Sequence, residues 1–211
     1  STTTGAIALS QTIQSVTGTI SIAAGNGLTL GAGADITSTA GALGLDAGSG
    51  ALQMTGDTQV DAGSGRVTLQ ADGDITLGKF STTDTGEFSI TAGGAVLDAG
   101  DSPPDIAAAS ATLVIRAADG VGHASAGGGT LETQVARLDL VNTGSGDVYL
   151  ENTGALTIVQ LDQQAAGLVD VLTLDGALTL GATIASGAAV SATSGDVSLY
   201  AGGDTGAVRL N

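Results

Sequence analysis

Cysteine and tryptophan are absent from the 211 residues, and one Met, one His, two Pro, two Phe and two Tyr are all that occur of five other types. Without cysteine there is no disulfide framework and no thiolate metal site. The same absence is compatible with export of an unfolded chain. The scarcity of large side chains argues against a bulky globular core. Cations are also few: five Lys and Arg stand against 21 Asp and Glu, for a net charge of −16. That balance disfavours nucleic acid and anionic membrane, which both require a cationic surface. No apolar run reaches the roughly 18 residues of a membrane-spanning helix. Ser1 opens a polar stretch without a basic leader. We therefore expect a chain that is not membrane-embedded, a single segment over 1–211 that is an internal fragment of a longer protein.

Glycine, in contrast, supplies 35 residues, apolar residues make up 42%, and the mean hydropathy is +0.35. This is too hydrophobic for disorder, despite the charge. The apolar stock is mainly Ala, Val, Ile and Leu, which suits stacked strands with a thin core. A small residue followed by alternating apolar and polar positions recurs, as in Gly18-Thr-Ile-Ser-Ile22, Gly65-Arg-Val-Thr-Leu69, Gly73-Asp-Ile-Thr-Leu77 and Gly195-Asp-Val-Ser-Leu199. Period-two alternation over so few residues means strand.

A longer period lies over the short one. Leu28, Leu52, Ile75, Val96, Val121, Val148, Leu172 and Val197 are spaced by 21 to 27 residues. A second series, Ile20, Leu43, Val67, Phe88, Leu113, Leu138, Leu161, Ile184 and Val208, runs between them with the same period. Two offset series sharing one period describe a coil that turns corners: an all-β, parallel β-helix of about nine coils, about 24 residues each. One coil cannot cover its own inward residues, so its partners are neighbouring repeats above and below. At about 4.8 Å per coil the rod is roughly 40 Å long. Its open end strands make end-to-end self-association a further expectation.

Corners account for the glycine and much of the acid. Asp46-Ala-Gly-Ser-Gly50 and Asp61-Ala-Gly-Ser-Gly65 are the same corner twice, with Gly for positive φ and Asp and Ser for local hydrogen bonds. Two stretches break the period. Residues 98–106 hold both prolines, which cannot sit inside a central strand. Residues 161–170 read as a long polar corner. Both are candidate recognition loops or tolerated insertions, with Asp101, Asp105, Gln163 and Gln164 as the side chains presented.

The sequence offers little for catalysis. His123 stands alone, so it cannot seed a zinc site, and we expect a solvent-side turn residue. The five cations are scattered, and paired carboxylates would arise only if stacking brought together residues such as Asp46 and Asp72 or Asp147 and Asp170. No catalytic or cofactor-binding residue is assigned. Weak calcium binding at acidic corners is the one cofactor expectation, since turn carboxylates are hard oxygen donors. The glycine-rich nonapeptide of calcium-binding β-rolls is met only in part by Gly31-Ala-Gly-Ala-Asp-Ile36. An ice-binding rank of threonines is interrupted by Gln53, Ser89, Tyr149 and Ser198. Two tyrosines are too few for a deep sugar-stacking site.

Ile115-Arg-Ala-Ala-Asp-Gly-Val-Gly122, then Gly129-Thr-Leu-Glu-Thr-Gln-Val-Ala-Arg-Leu138, then Gly144-Ser-Gly-Asp-Val-Tyr-Leu-Glu-Asn-Thr-Gly-Ala-Leu-Thr-Ile158 follow one another in order. These about 45 residues resemble the repeat region of filamentous-haemagglutinin-like large exoproteins. The resemblance implies a right-handed β-helix, export across a Gram-negative outer membrane, and an extracellular place at the bacterial cell surface. It also implies a role in adhesion, aggregation or biofilm formation, and no catalytic residues. The chain is then a spacer or itself binds surface carbohydrate or another cell. A β-helical carbohydrate-active enzyme and a calcium-responsive binding module are the alternatives.

Overall fold

A computed structural model describes residues 4–100, 104–122, 129–181, 188–203 and 207–210. Among them the only regular elements are strands, and every strand pairing is parallel. The chain circles as the sequence predicts, at first with three short strands per circuit. These are β1 (Ile7–Leu9), β2 (Ile13–Ser15) and β3 (Ile20–Ala23), then β4 (Leu28–Leu30), β5 (Ile36–Ser38) and β6 (Leu43–Asp46). The pattern repeats through β7 (Leu52–Met54), β8 (Gln59–Asp61) and β9 (Val67–Ala71), and through β10 (Ile75–Leu77), β11 (Lys79–Ser81) and β12 (Glu87–Ala92).

Beyond that point corners straighten and strands merge. The next elements are β13 (Val96–Asp98), β14 (Ile106–Ala117), β15 (Leu131–Asn142), β16 (Val148–Asn152) and β17 (Leu156–Ala166). They are followed by β18 (Val169–Thr173), β19 (Leu178–Leu180), β20 (Val190–Ser194), β21 (Val197–Ala201) and β22 (Val208–Leu210).

Stacking places like on like. One ladder runs Ile7, Leu28, Leu52, Ile75, Val96, Val121, Val148, Val169, Val197, each residue paired with the next. Leu172 was the expected eighth member of this series, and Val169 takes its place. Leu168 to Leu172 offers two apolar phases, and the one that continues the alternation of Val148, Leu150 and Asn152 is Val169, Val171 and Thr173. Leu172 therefore faces outward, opposite Tyr200.

The second series holds from Ile20 through Leu43 to Val67 and from Phe88 through Leu113 to Leu138. Leu138 then pairs with Ile158, and a register shift puts Leu161 beside Leu140. Val208 pairs with Leu178, and Ile184 lies outside the described residues.

The stack makes about seven turns, not nine. A complete turn needs neighbours above and below, and the first and last positions of the long ladder each have one. Dividing length by period counts these ends as full coils.

The interior is mainly Leu, Ile, Val and Ala, with the two phenylalanines at mid-stack and a few buried polar residues such as Asn142 and Gln163. Phe80 and Phe88 meet edge to face, centroids 5.6 Å apart and planes at 86°. At the corners the Asp46 carboxylate accepts the Gly48 N–H at 2.8 Å and Asp61 that of Gly63 at 2.9 Å. Gly48 and Gly63 have φ of 60° and 53°, the conformation only glycine takes freely. Other carboxylates reach across to the next coil: Asp35 accepts from Gln59 N–H, Asp74 from Ala95 N–H and Asp147 from Leu168 N–H, at 2.9, 2.9 and 2.7 Å. Much of the acid is therefore corner chemistry.

Candidate functional site

The segment 98–106 brings carboxylates together. Asp98 closes β13, and its Oδ1 accepts the Gly100 N–H at 2.7 Å, where Gly100 turns the chain with φ of 80°. Asp105 immediately precedes β14. Its N–H donates to the Glu132 carbonyl at 2.8 Å, and its Oδ2 accepts the Glu132 N–H at 2.9 Å, a reciprocal clasp between successive coils. Glu132 follows as the second residue of β15 and stacks against Glu151. Carboxylate oxygens of Asp98, Asp105 and Glu132 lie within 4.8 Å of one another.

Such crowding shifts protonation. The Glu132 carboxyl is held above its ordinary range by burial and by the charges of Asp98 and Glu151, against a lowering hydrogen bond with Asp105. Among the described residues Asp98 Oδ2 is buried without a hydrogen-bond partner. A proton or a cation relieves this repulsion, and three hard oxygen donors suit a calcium ion whose remaining ligands are carbonyls or water.

The sequence-predicted recognition residues fare differently. Asp101 lies outside the described residues, as does His123. Asp105 is fully buried and is not a side chain displayed on a loop. The expected irregular loop at 161–170 is instead strand on both sides of a break at Gly167 and Leu168, because its polar residues alternate in register with β15 and β16.

Gln163 faces inward and is fully buried, where its Oε1 accepts from Asn142 Nδ2 at 2.8 Å. Gln164 does face solvent, bonded to Asp162 at 2.8 Å. Glu132 and Asp98 were not singled out from sequence. The usable signal was that Asp105 and Glu132 are 27 residues apart, about one coil, so that stacking superimposes them.

Comparison with family models, curated proteins and solved structures gave no match. Among the described residues no helix is long and apolar enough to cross a membrane.

Proposed function

We propose that the chain is a shaft segment of a secreted bacterial cell-surface exoprotein, a structural and adhesive rod without enzymatic activity. The observation that carries this reading is the parallel ladder from Ile7 to Val197, apolar at each rung and fully buried from Leu28 to Val148. The resemblance at 115–158 supports the surface location, and the charge of −16 supports a solvated exterior that does not hold nucleic acid. The partners are adjoining repeats. An exposed strand edge at the end of such a stack is suited to end-to-end association.

The test is removal of one coil. Deleting 53–75 within the parent protein joins Leu52 to Thr76 and leaves each ladder one rung shorter. The shortened protein is expected to fold, reach the surface of its producing cells and support attachment. Loss of surface display by a folded deletion protein contradicts the reading.

A second reading, a calcium-responsive module, is favoured by the cluster of Asp98, Asp105 and Glu132. Its prediction has a definite sign. A carboxyl raised on folding contributes stability at pH below its unfolded pKa and loses that contribution as pH rises through the folded value. In chelator the melting temperature should therefore fall as pH rises through the carboxylate range, and excess calcium should restore it. Saturation at 100 times Kd would contribute about 2.7 kcal/mol. Glu132→Gln should abolish both responses. Identical thermal transitions with calcium and with chelator would remove this second reading and leave the shaft untouched.

A further inference from the structure

The face of the rod around Tyr149 is interrupted by a missing side chain. Outward positions there run Leu97, Gly122, Tyr149, Asp170, following the inward ladder Val96, Val121, Val148, Val169. Among the described residues a recess of about 390 Å³ opens between Leu97 and the phenol, lined by Ala95, Leu97, Asp119, Gly122, Gly146, Asp147 and Tyr149. Gly122, at the edge of the recess, has φ of 69°, and a Cβ there would collide with the Tyr149 carbonyl oxygen, so the backbone course at this edge requires glycine. A second recess of about 100 Å³ continues past Tyr149 to Glu151 and Asp170.

The chemistry of the walls is selective. Leu97 and the Tyr149 ring offer apolar surface, Asp119 and Asp147 offer acceptors, and among the described residues neither recess is lined by Lys or Arg. Asp147 is fixed by accepting the Leu168 N–H through Oδ1 at 2.7 Å, while its Oδ2 lies 3.4 Å from the Tyr149 hydroxyl. Desolvation and the neighbouring charges of Asp147 and Asp170 raise the phenol pKa above its ordinary value.

A matching ligand has an apolar face, an edge rich in donors and no negative charge. A pyranose has C–H groups on one face and hydroxyls around its rim. We propose that this recess binds a neutral or amino-substituted saccharide unit, its C–H face on Tyr149 and Leu97 and its hydroxyls donating to Asp119 and Asp147. The site is shallow and needs one aromatic ring, so the scarcity of tyrosine that excludes a deep stacking cleft does not exclude it. The inference rests on the adhesive part of the function proposed above, since a pure spacer needs no such site.

Saturation-transfer NMR and calorimetry on the whole chain test it, with methyl hexopyranosides, glucosamine oligomers and oligogalacturonate as probes. Transfer to the neutral or amino sugars is expected, with oligogalacturonate excluded by the carboxylates. Tyr149→Ala should weaken binding about tenfold, Tyr149→Phe about threefold or less, and Tyr200→Ala not at all. Ala95→Leu, which fills the recess from its wall, should abolish binding while circular dichroism stays unchanged. If that variant unfolds, the two Tyr149 variants decide.

No transfer to any neutral or amino sugar overturns the proposal, as does binding indifferent to Tyr149→Ala or a preference for oligogalacturonate. Tighter binding of a lysine-rich peptide than of any sugar overturns it too. None of these results affects tolerance of the coil deletion, so loss of the site and loss of the shaft are separately visible.

Discussion

Leu113→Asp is expected to eliminate the cooperative unfolding transition at neutral pH. Leu113 is fully buried between Phe88 and Leu138 in the ladder, and stacked coils close the space above and below it. An ionised carboxylate there sits among apolar side chains, with no buried Lys or Arg among the described residues to pair with it, a loss of several kcal/mol. Single changes above about 4 kcal/mol are exceptional, a buried unpaired charge is one of their causes, and domains have only about 5 to 15 kcal/mol in total. Val148, equally buried in the other ladder between Val121 and Val169, should behave in the same way.

The control is Thr91→Glu on the solvent face of β12, which brings a carboxylate opposite Arg116 and should change stability by less than about 0.5 kcal/mol. Urea unfolding followed by circular dichroism distinguishes the cases. A transition in Leu113→Asp close to that of the parent would refute the assigned core.

Asn142→Ala is the second large effect. Asn142 lies in the interior, fully buried, one rung below Gln163. Its Oδ1 accepts the Gly120 N–H at 3.0 Å, and its Nδ2 donates to the carbonyls of Gly144 and Gly146 at 3.2 Å and to Gln163 at 2.8 Å. Gln163 Nε2 in turn donates to the Gly146 carbonyl at 3.1 Å and that of Ala165 at 3.2 Å. The two amides hold a corner whose own backbone groups have left the ladder.

Truncating one leaves several buried polar groups unmet, at about 1 to 3 kcal/mol each, so a loss of roughly 3 to 5 kcal/mol is expected. Truncating both should cost less than the sum of the single losses, because each first cut already orphans the other's partner. Gln164→Ala, on the exposed neighbour, should be close to neutral. Strict additivity of Asn142→Ala and Gln163→Ala in a thermodynamic cycle would show that the amides do not act as a unit.

These two sites also mark the boundary of what the sequence discloses. Hydrophobic alternation and a shared period place Leu28, Leu52, Ile75, Val96, Val121 and Val148 on one ladder, because a fold made by repetition repeats its inward residues. The inference fails where apolarity is ambiguous or misleading. Leu172 is larger and more hydrophobic than Thr173, yet Thr173 is the buried one, since phase along the strand decides the face.

Gln163 and Asn142 are polar and were therefore read as solvent-facing or left unremarked. Only the register of β15 on β17 reveals that they satisfy each other inside. The carboxylate cluster was half legible. Asp105 was singled out, but for display on a loop, and its companions Asp98 and Glu132 come together only through stacking. Corner aspartates, in contrast, were read correctly as turn formers at Asp46 and Asp61, since that chemistry is local.

The coils stack one per rung, and distance measured along the rod tests this most directly. The chain has no cysteine, so pairs of introduced cysteines take spin labels without background. Ala8, Gln53 and Ser198 all lie exposed on the same outward line, Ala8 eight rungs from Ser198 and Gln53 six. At about 4.8 Å per rung, pulsed electron–electron resonance should give roughly 38 Å for the Ala8–Ser198 pair and roughly 29 Å for Gln53–Ser198. Distances that do not grow with the number of rungs would contradict the stack, and with it the shaft.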